Sequence, residues 1–522
     1  MKKRKSIGNG ILVLLISQVL VKIFGLLYKL YLANKNGFGD VGNAIYNSGY
    51  QIYALLLTVS SIGVPNAVAK LIAENKNSKE QSYEIFRNSL ILFAVIGATG
   101  SVLLAIFAKY IAKEWLNIPE ASKSIIALSP AIFNVCIISV YRGYYNGIGY
   151  ISTTAKSQSI EQLLKTVFTV MFVEITFLLT RANTEYMAAF ANFATTIATL
   201  GSFIYLYKKN SFCSIKCKWK KRNFFKILYI SLPISIGSIL TMLSKNIDSV
   251  MIVRYLKRFM GEQNAKVEYG ILSGKVDVLC AVPVSFIIAI TTTIIPTVSV
   301  LAKEKKYSEI SKVMEKYMLV TLLAVLPCCI LIMMFSKQIL FILFGNTKGE
   351  ILFKISSVAI VFISMEQIIH AVLQGIGKMF VPMFSLAIGI LVKIFINMKL
   401  LKLSPGQYWY GGTVGSCIAT LSCHLVVFFI SFTALIKKLK INLKIFKILL
   451  KPIYASCIMA LCLHYTYFLL KGIIIENIAI IVATTVATIV YIISLILFKI
   501  LSKDVLSSVP VINVLFDWKN KK

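Results

Sequence analysis

Apolar stretches of about 20 residues alternate with short polar segments along the whole chain, the length a helix needs to cross roughly 30 Å of hydrocarbon. Each stretch is bounded by Lys, Asn, Gly or Pro. The pattern places spans near residues 10–33, 45–72, 86–108, 125–146, 158–180, 186–207, 227–253, 271–300, 317–336, 351–374, 381–402, 412–436, 448–470 and 477–500. The fold class expected is therefore an all-α integral membrane protein of about fourteen transmembrane helices. No intervening segment is long and polar enough for a separate soluble domain.

Composition agrees. Hydrophobic residues make up 57% of the 522, too many for one soluble core, since such cores stop growing at roughly 250 to 300 residues. The formal charge of +35 would point to nucleic acid in a soluble protein, but here its position along the chain decides its meaning. With the N-terminus inside, the cytoplasmic loops hold roughly 34 Lys and Arg and the outer ones roughly 14. The richest inner segments are Lys2 to Lys5, Lys208 to Lys226, Lys303 to Lys316 and Lys437 to Lys451, and they suit an anionic leaflet. An even number of spans returns the C-terminus to the same side. The first apolar run continues through Leu32 without a small-residue cleavage site, so it reads as a span and not a signal peptide. The ten cysteines lie in or near spans, or on the inner side as Cys213 and Cys217 do; these two have no histidine nearby, so neither disulfides nor zinc are expected.

The chain also resembles itself at a separation of about 228 residues. Asn146-Gly147-Ile148-Gly149, followed by Lys165, matches Gln374-Gly375-Ile376-Gly377, followed by Lys393. Gly63-Val64-Pro65-Asn66-Ala67 leading to Lys70 likewise matches Ile294-Ile295-Pro296-Thr297-Val298 leading to Lys303. A duplication of six spans follows, giving an N-terminal lobe over 1–222, a C-terminal lobe over 223–440, and two appended helices with a basic tail over 441–522. Because six is even, the copies share one orientation, and a seam between them is where a cavity is expected. Gly63, Pro65, Pro283 and Pro296 are candidate hinges for one lobe rocking against the other; as static kinks they would serve packing alone.

Ionisable side chains inside spans cost several kcal/mol, which makes each a candidate site. The candidate cavity residues are Lys22, Arg142, Glu161, Lys165, Lys245, Asp248, Lys275, Asp277, Glu366, His370 and Lys393, with Lys29 and Glu174 also inside spans. Glu161 with Lys165 and Glu366 with His370 are four apart, and Lys245 with Asp248 three apart, so each pair can share a helix face as a structural ion pair. Lys22, Arg142, Lys275 and Lys393 have no acid at such spacing. Two readings of that basic surplus stand: a positively lined seam for an anionic ligand, or lysines reaching to the interface. The three histidines lie on separate spans, and no catalytic triad, phosphate loop or metal cluster has diagnostic spacing. Neither an enzyme activity nor a cofactor, metal or nucleic-acid partner is expected.

Three segments carry a family resemblance. Tyr46-Asn47-Ser48-Gly49-Tyr50-Gln51-Ile52-Tyr53 with Gly63-Val64-Pro65-Asn66-Ala67-Val68-Ala69-Lys70-Leu71 is one. Arg142-Gly143-Tyr144-Tyr145-Asn146-Gly147 continuing through Ser157-Gln158-Ser159-Ile160-Glu161-Gln162 is another, and Tyr269-Gly270-Ile271-Leu272-Ser273-Gly274 with Leu279 and Pro283 the third. They resemble the stage V sporulation protein B group of polysaccharide and lipid-linked oligosaccharide flippases, within the multidrug/oligosaccharidyl-lipid/polysaccharide exporter superfamily and related to lipid II flippases. The resemblance implies two six-helix lobes plus two helices. It also implies a cargo, an undecaprenyl-diphosphate-linked sugar such as a peptidoglycan precursor, crossing the cytoplasmic membrane through a cationic cavity. Lys22, in Lys22-Ile23-Phe24-Gly25, stands where lipid II flippases carry an arginine, keeping the charge without the bidentate fork. Thr153-Thr154-Ala155 replaces the family's Pro-Thr-Ala, Asn43 stands where lipid II flippases tend to carry an acid, and Lys275 and Asp277 sit where uncharged residues are expected.

The function expected is a non-enzymatic flippase working by alternating access. Its expected partners are the anionic undecaprenyl-linked lipid, the bilayer and cell-wall synthesis proteins, and its expected state a monomer. The alternatives are a cation-coupled multidrug extruder of the same fold, for which an acidic cavity and usually twelve helices are expected, and a membrane glycosyltransferase or polymerase, which needs a sizeable polar loop.

Overall fold

The computed structural model describes residues 20–61, 63–74, 78–209, 221–439 and 445–498. Their helices are α1 (20–34), α2 (Gly39–Ser61), α3 (Gly63–Glu74), α4 (Lys79–Tyr110), α5 (Ala121–Gly147), α6 (Ile151–Leu179), α7 (Thr184–Lys208), α8 (Lys221–Ile271), α9 (Asp277–Lys303), α10 (Tyr307–Phe344), α11 (Glu350–Gly375), α12 (Phe380–Leu400), α13 (Gly412–Leu439), α14 (Ile445–Leu470) and α15 (Glu476–Leu497). Two π-helical turns, Ile111–Trp115 and Leu272–Val276, join α4 to its loop and α8 to α9. No strand occurs among the described residues.

Each expected span falls on a helix, and the 45–72 span falls on two, α2 and α3. Among the described residues, eleven helical segments are long and apolar enough to cross a membrane. Their outward apolar side chains, such as Leu178, Leu179 and Leu497, stay more than 70% exposed, as lipid contact requires. Residues 10–19 of the first expected span, the terminal lysines and Cys213 with Cys217 lie outside the described residues.

Local chemistry explains the boundaries. Ser78 accepts from the Gln81 N–H at the start of α4, and Asn183 accepts from the Glu185 and Tyr186 N–H groups at the start of α7, satisfying donors that have no partner within the helix. Pro65 is the third residue of α3, in a first turn where a missing N–H removes no helical bond. Inside α8, Gly261 adopts φ 80° and ψ 167°, so the long helix is two pieces meeting at a conformation only glycine takes easily.

The chain groups into two compact units, residues 1–275 with 398–413 and residues 276–397 with 414–522. The first unit extends past residue 222 because α8 and the turn after it pack closely on α2. A Cβ on Gly270 would come within 1.8 Å of the Asp40 carbonyl oxygen, and one on Gly274 within 2.7 Å of the Asn43 side chain. In the second unit, Phe335 of α10 joins Ala455, Met459, Leu463, Ala483, Ala487 and Tyr491 in one buried cluster, and the Tyr491 hydroxyl donates to the Leu323 carbonyl at 2.9 Å. Helices α14 and α15 are thereby fixed to α10.

Candidate cationic site and its repeat

In the first unit, α5, α6 and α7 meet around Arg142. Its guanidinium donates to Ser157 Oγ at 3.0 Å, to Ser202 Oγ at 3.2 Å and to Glu161 Oε2 at 2.7 Å, while the two serine oxygens lie 2.8 Å apart. Small residues make the approach possible. A Cβ at Gly143 would stand 2.8 Å from the Val68 Cβ and 2.9 Å from the Pro65 carbonyl oxygen, and one at Gly147 would stand 2.8 Å from the Ile72 Cβ. These two glycines, one turn apart, seat α5 on α3.

Lys165 lies one turn beyond Glu161 on α6, and the i, i+4 spacing permits a bond between them. Glu161 turns to Arg142 instead, because a guanidinium already oriented by two serines is the better-placed partner. Lys165, only 4% exposed, has its Nζ 4.1 Å from the Tyr50 ring centre and 5.3 Å from that of Tyr28. No carboxylate among the described residues pairs with it. Tyr50 belongs to a row on one face of α2, stacked on Tyr46 with ring centres 5.9 Å apart and 5.6 Å from Tyr53.

Helix α1 supplies Tyr28 and is pinned to α6 by the Thr166 hydroxyl, which donates to the Phe24 carbonyl at 3.2 Å. Lys22 on α1 and Lys245 on α8 are both exposed, and the charge of Lys245 acts on Lys22. The first unit thus holds two open lysines, Lys22 and Lys245, and one buried lysine, Lys165, framed by aromatic faces. Near the end of α1 lies a separate shallow depression of about 430 Å³ lined by Tyr31, Asn34, Lys35 and Phe177, where Lys35 is already paired with Glu174.

Lys275 belongs to a different place. Buried in the π-helical turn, its ammonium is 2.7 Å from Asp40 Oδ1 on α2, and the Asn47 amide donates to Ser273 Oγ at 3.3 Å nearby. Asp248 and Asp277 are half-buried, the first on α8 beside Lys245 in sequence and the second at the start of α9.

The second unit repeats the pattern around Arg142 with a change of chemistry. His370 on α11 takes the arginine's place, with Nε2 3.0 Å from Ser431 Oγ on α13; Ser431 donates to Ser385 Oγ on α12 at 2.8 Å. Gly389 occupies the position of Glu161, and a Cβ there would lie 2.5 Å from the Val427 side chain. The carboxylate of this set is Glu366, whose Oε2 is 3.0 Å from His424 Nδ1 on α13. Glu366 therefore meets His424 and not His370, the partner its own spacing offered. Lys393, equivalent to Lys165, is 1% exposed. Gly375 repeats Gly147: a Cβ there would come within 2.8 Å of the Val298 Cβ on α9. Pro283 and Pro296 both lie within α9, and Gly63 begins α3.

Sequence reasoning missed Tyr28, Tyr50, Asp40 and the serines as partners. Signals were available for some: Tyr46, Tyr50 and Tyr53 fall at i, i+4, i+7, and Ser157 with Ser385, like Ser202 with Ser431, recurs at the separation of about 228 that the glycines and lysines showed.

The model of a family described as polysaccharide biosynthesis protein matches residues 7–302. The chain is 23% identical to stage V sporulation protein B of Bacillus subtilis (strain 168), over 97% of this chain and 98% of that one. It is 25% identical to lipid II flippase MurJ of the same organism, covering 79% of this chain and 80% of that protein. Among solved structures, lipid II flippase MurJ in an inward closed conformation superposes with a TM-score of 0.72 at 15% identity, covering 94% of this chain and 99% of that one.

Proposed function

Because the chain belongs to the polysaccharide biosynthesis protein family, we propose that it is a flippase, not an enzyme, carrying an undecaprenyl-diphosphate-linked sugar across the cytoplasmic membrane. The observation that carries this reading is Lys165. A buried ammonium facing aromatic rings, with no carboxylate partner among the described residues, is costly alone and becomes stable when an anion arrives. A diphosphate supplies that anion, with Lys22 and Lys245 as further donors from α1 and α8. Arg142 serves differently, holding α5, α6 and α7 together. An acidic cavity, which an extruder of cationic drugs calls for, has no counterpart in this set.

The likeness to lipid II flippase MurJ along most of the chain supports a lipid-linked sugar, with a peptidoglycan precursor as the first cargo to test. In this reading residues 1–222 and 223–440 are the duplicated lobes that alternate in access, with Gly63, Pro65, Pro283 and Pro296 as bending points, 441–522 is the appendage, and both termini are cytoplasmic. The test is reconstitution into liposomes with several undecaprenyl-diphosphate-linked sugars. Wild-type protein moves at least one headgroup across the bilayer, and Lys165→Met inserts normally without moving it. Equal movement by both ends the reading.

A further inference from the structure

The duplicated hydrogen-bond set differs between its copies in one chemical respect. Arg142 is a permanent cation fixed to a carboxylate, whereas its equivalent, His370, titrates near neutrality in its unperturbed state. A second imidazole, His424, is hydrogen-bonded to Glu366 at 3.0 Å. Glu366 is 5% exposed, and both histidines are partly buried. From these contacts we infer that Glu366 and His424 form a proton-binding pair within the second unit, with His370, one turn from Glu366 on α11, held separately by Ser431.

The charge states follow from the groups present. With Glu366 ionised and the His424 imidazole neutral the pair carries −1. One proton, shared along the Glu366–His424 bond, brings it to 0, the net charge that Arg142 with Glu161 holds permanently in the first unit. A second proton would give +1. A charge inside a membrane span is costly to solvate, so uptake of a proton changes what the surrounding helices must satisfy. Gly389 makes the difference physical: where Glu161 supplies a fixed counter-charge, a glycine lets α12 lie against Cys423 and Val427 of α13, and the carboxylate comes from α11.

The surroundings add few other charges. On α11 the ionisable neighbour of His370 is Glu366, one turn back, and α13 contributes His424, which is bonded to Glu366. From α12 comes Ser385 through Ser431, while Lys393 lies eight residues further along, about 12 Å at 1.5 Å per residue. Helix α10 meets α11 through Cys329 and Ser357, more than three turns from His370. Helix α9 meets it through Ser299 and the Gly375 carbonyl, and the nearby Lys303 is exposed.

The chain has three histidines, which makes a direct measurement possible. Full-length protein labelled with nitrogen-15 at histidine, in nanodiscs, is followed by NMR from pH 5 to 9, with His370→Gln, His424→Gln and His464→Gln for assignment. His464, exposed on another helix, α14, is the internal control. The expected result is that the His424 signal responds to pH within this range. Glu366→Gln then moves the His424 midpoint down by about one unit or more, and His464 does not change. A His424 signal that stays constant over the range overturns the site, as does an unchanged midpoint in Glu366→Gln. Midpoints that follow sodium concentration at constant ionic strength would assign the cluster to a metal cation and also overturn it. The measurement needs no cargo, so its outcome is independent of whether the chain moves a lipid-linked sugar.

Discussion

Arg142 on α5 reaches Glu161 on α6 across 2.7 Å, and this pairing leaves Lys165, one turn along the same helix, facing tyrosine rings. A single choice of partner separates a cation held by a carboxylate from one held against aromatic faces. Arg142 is enclosed by oxygen acceptors on two helices, whereas Lys165 has none among the described residues.

Removing Arg142 should therefore damage the fold first. Arg142→Ala leaves Glu161 without its cation and should cost about 2 to 3 kcal/mol, below the value for a fully buried pair because Glu161 is 27% exposed. The double variant Arg142→Ala with Glu161→Gln should unfold at a higher temperature than Arg142→Ala alone. Thermal unfolding in detergent gives the order.

Lys165 should affect binding without unfolding the protein. Tyr50→Phe keeps the ring face and should bind an undecaprenyl-diphosphate lipid as the wild type does. Tyr50→Leu removes it, and at about 1 to 2 kcal/mol for a desolvated cation–π contact the affinity should fall roughly 5- to 30-fold. Titration of labelled lipid in nanodiscs distinguishes the two.

The glycine contacts predict opposite signs at neighbouring places. Gly147→Ala forces a methyl to within 2.8 Å of the Ile72 Cβ and 2.9 Å of the Ala69 carbonyl oxygen, and Gly375→Ala does the same against Val298; each should lose about 1 to 3 kcal/mol. Gly100 on α4 has 3.6 Å to its nearest neighbour, Ile132, so Gly100→Ala should gain up to about 1 kcal/mol from helix propensity. Melting temperatures of the three variants should fall on both sides of the wild type.

Lys275 and Asp40 should be exchangeable as a pair. Either Lys275→Ala or Asp40→Ala leaves a charge poorly solvated, since the lysine is 1% and the aspartate 14% exposed, and each should lower the melting temperature. Asp40→Lys combined with Lys275→Asp should recover at least half of that loss if the attraction between α2 and the π-helical turn is what holds them.

Helix existence was readable because a membrane span must satisfy its backbone internally over about 20 apolar residues, a constraint visible in one dimension. The duplication was readable in the same way, through glycines and lysines repeating at fixed distance. Partner choice was not. Spacing offered Glu161 to Lys165 and Glu366 to His370, and in both cases a residue from another helix took the carboxylate: Arg142 in the first unit and His424 in the second.

By itself the sequence determined that lipid is the solvent, that the chain is a series of spanning helices, and that its intramembrane charge is mostly positive. These follow from composition and periodicity, which act locally. Tertiary structure alone decided which of those charges are spent on packing and which stay available, since that depends on side chains more than a hundred residues apart meeting in space, such as Lys165 with Tyr50 and Lys275 with Asp40. At low dielectric the nearest and best-oriented counter-charge wins over the one nearest in sequence.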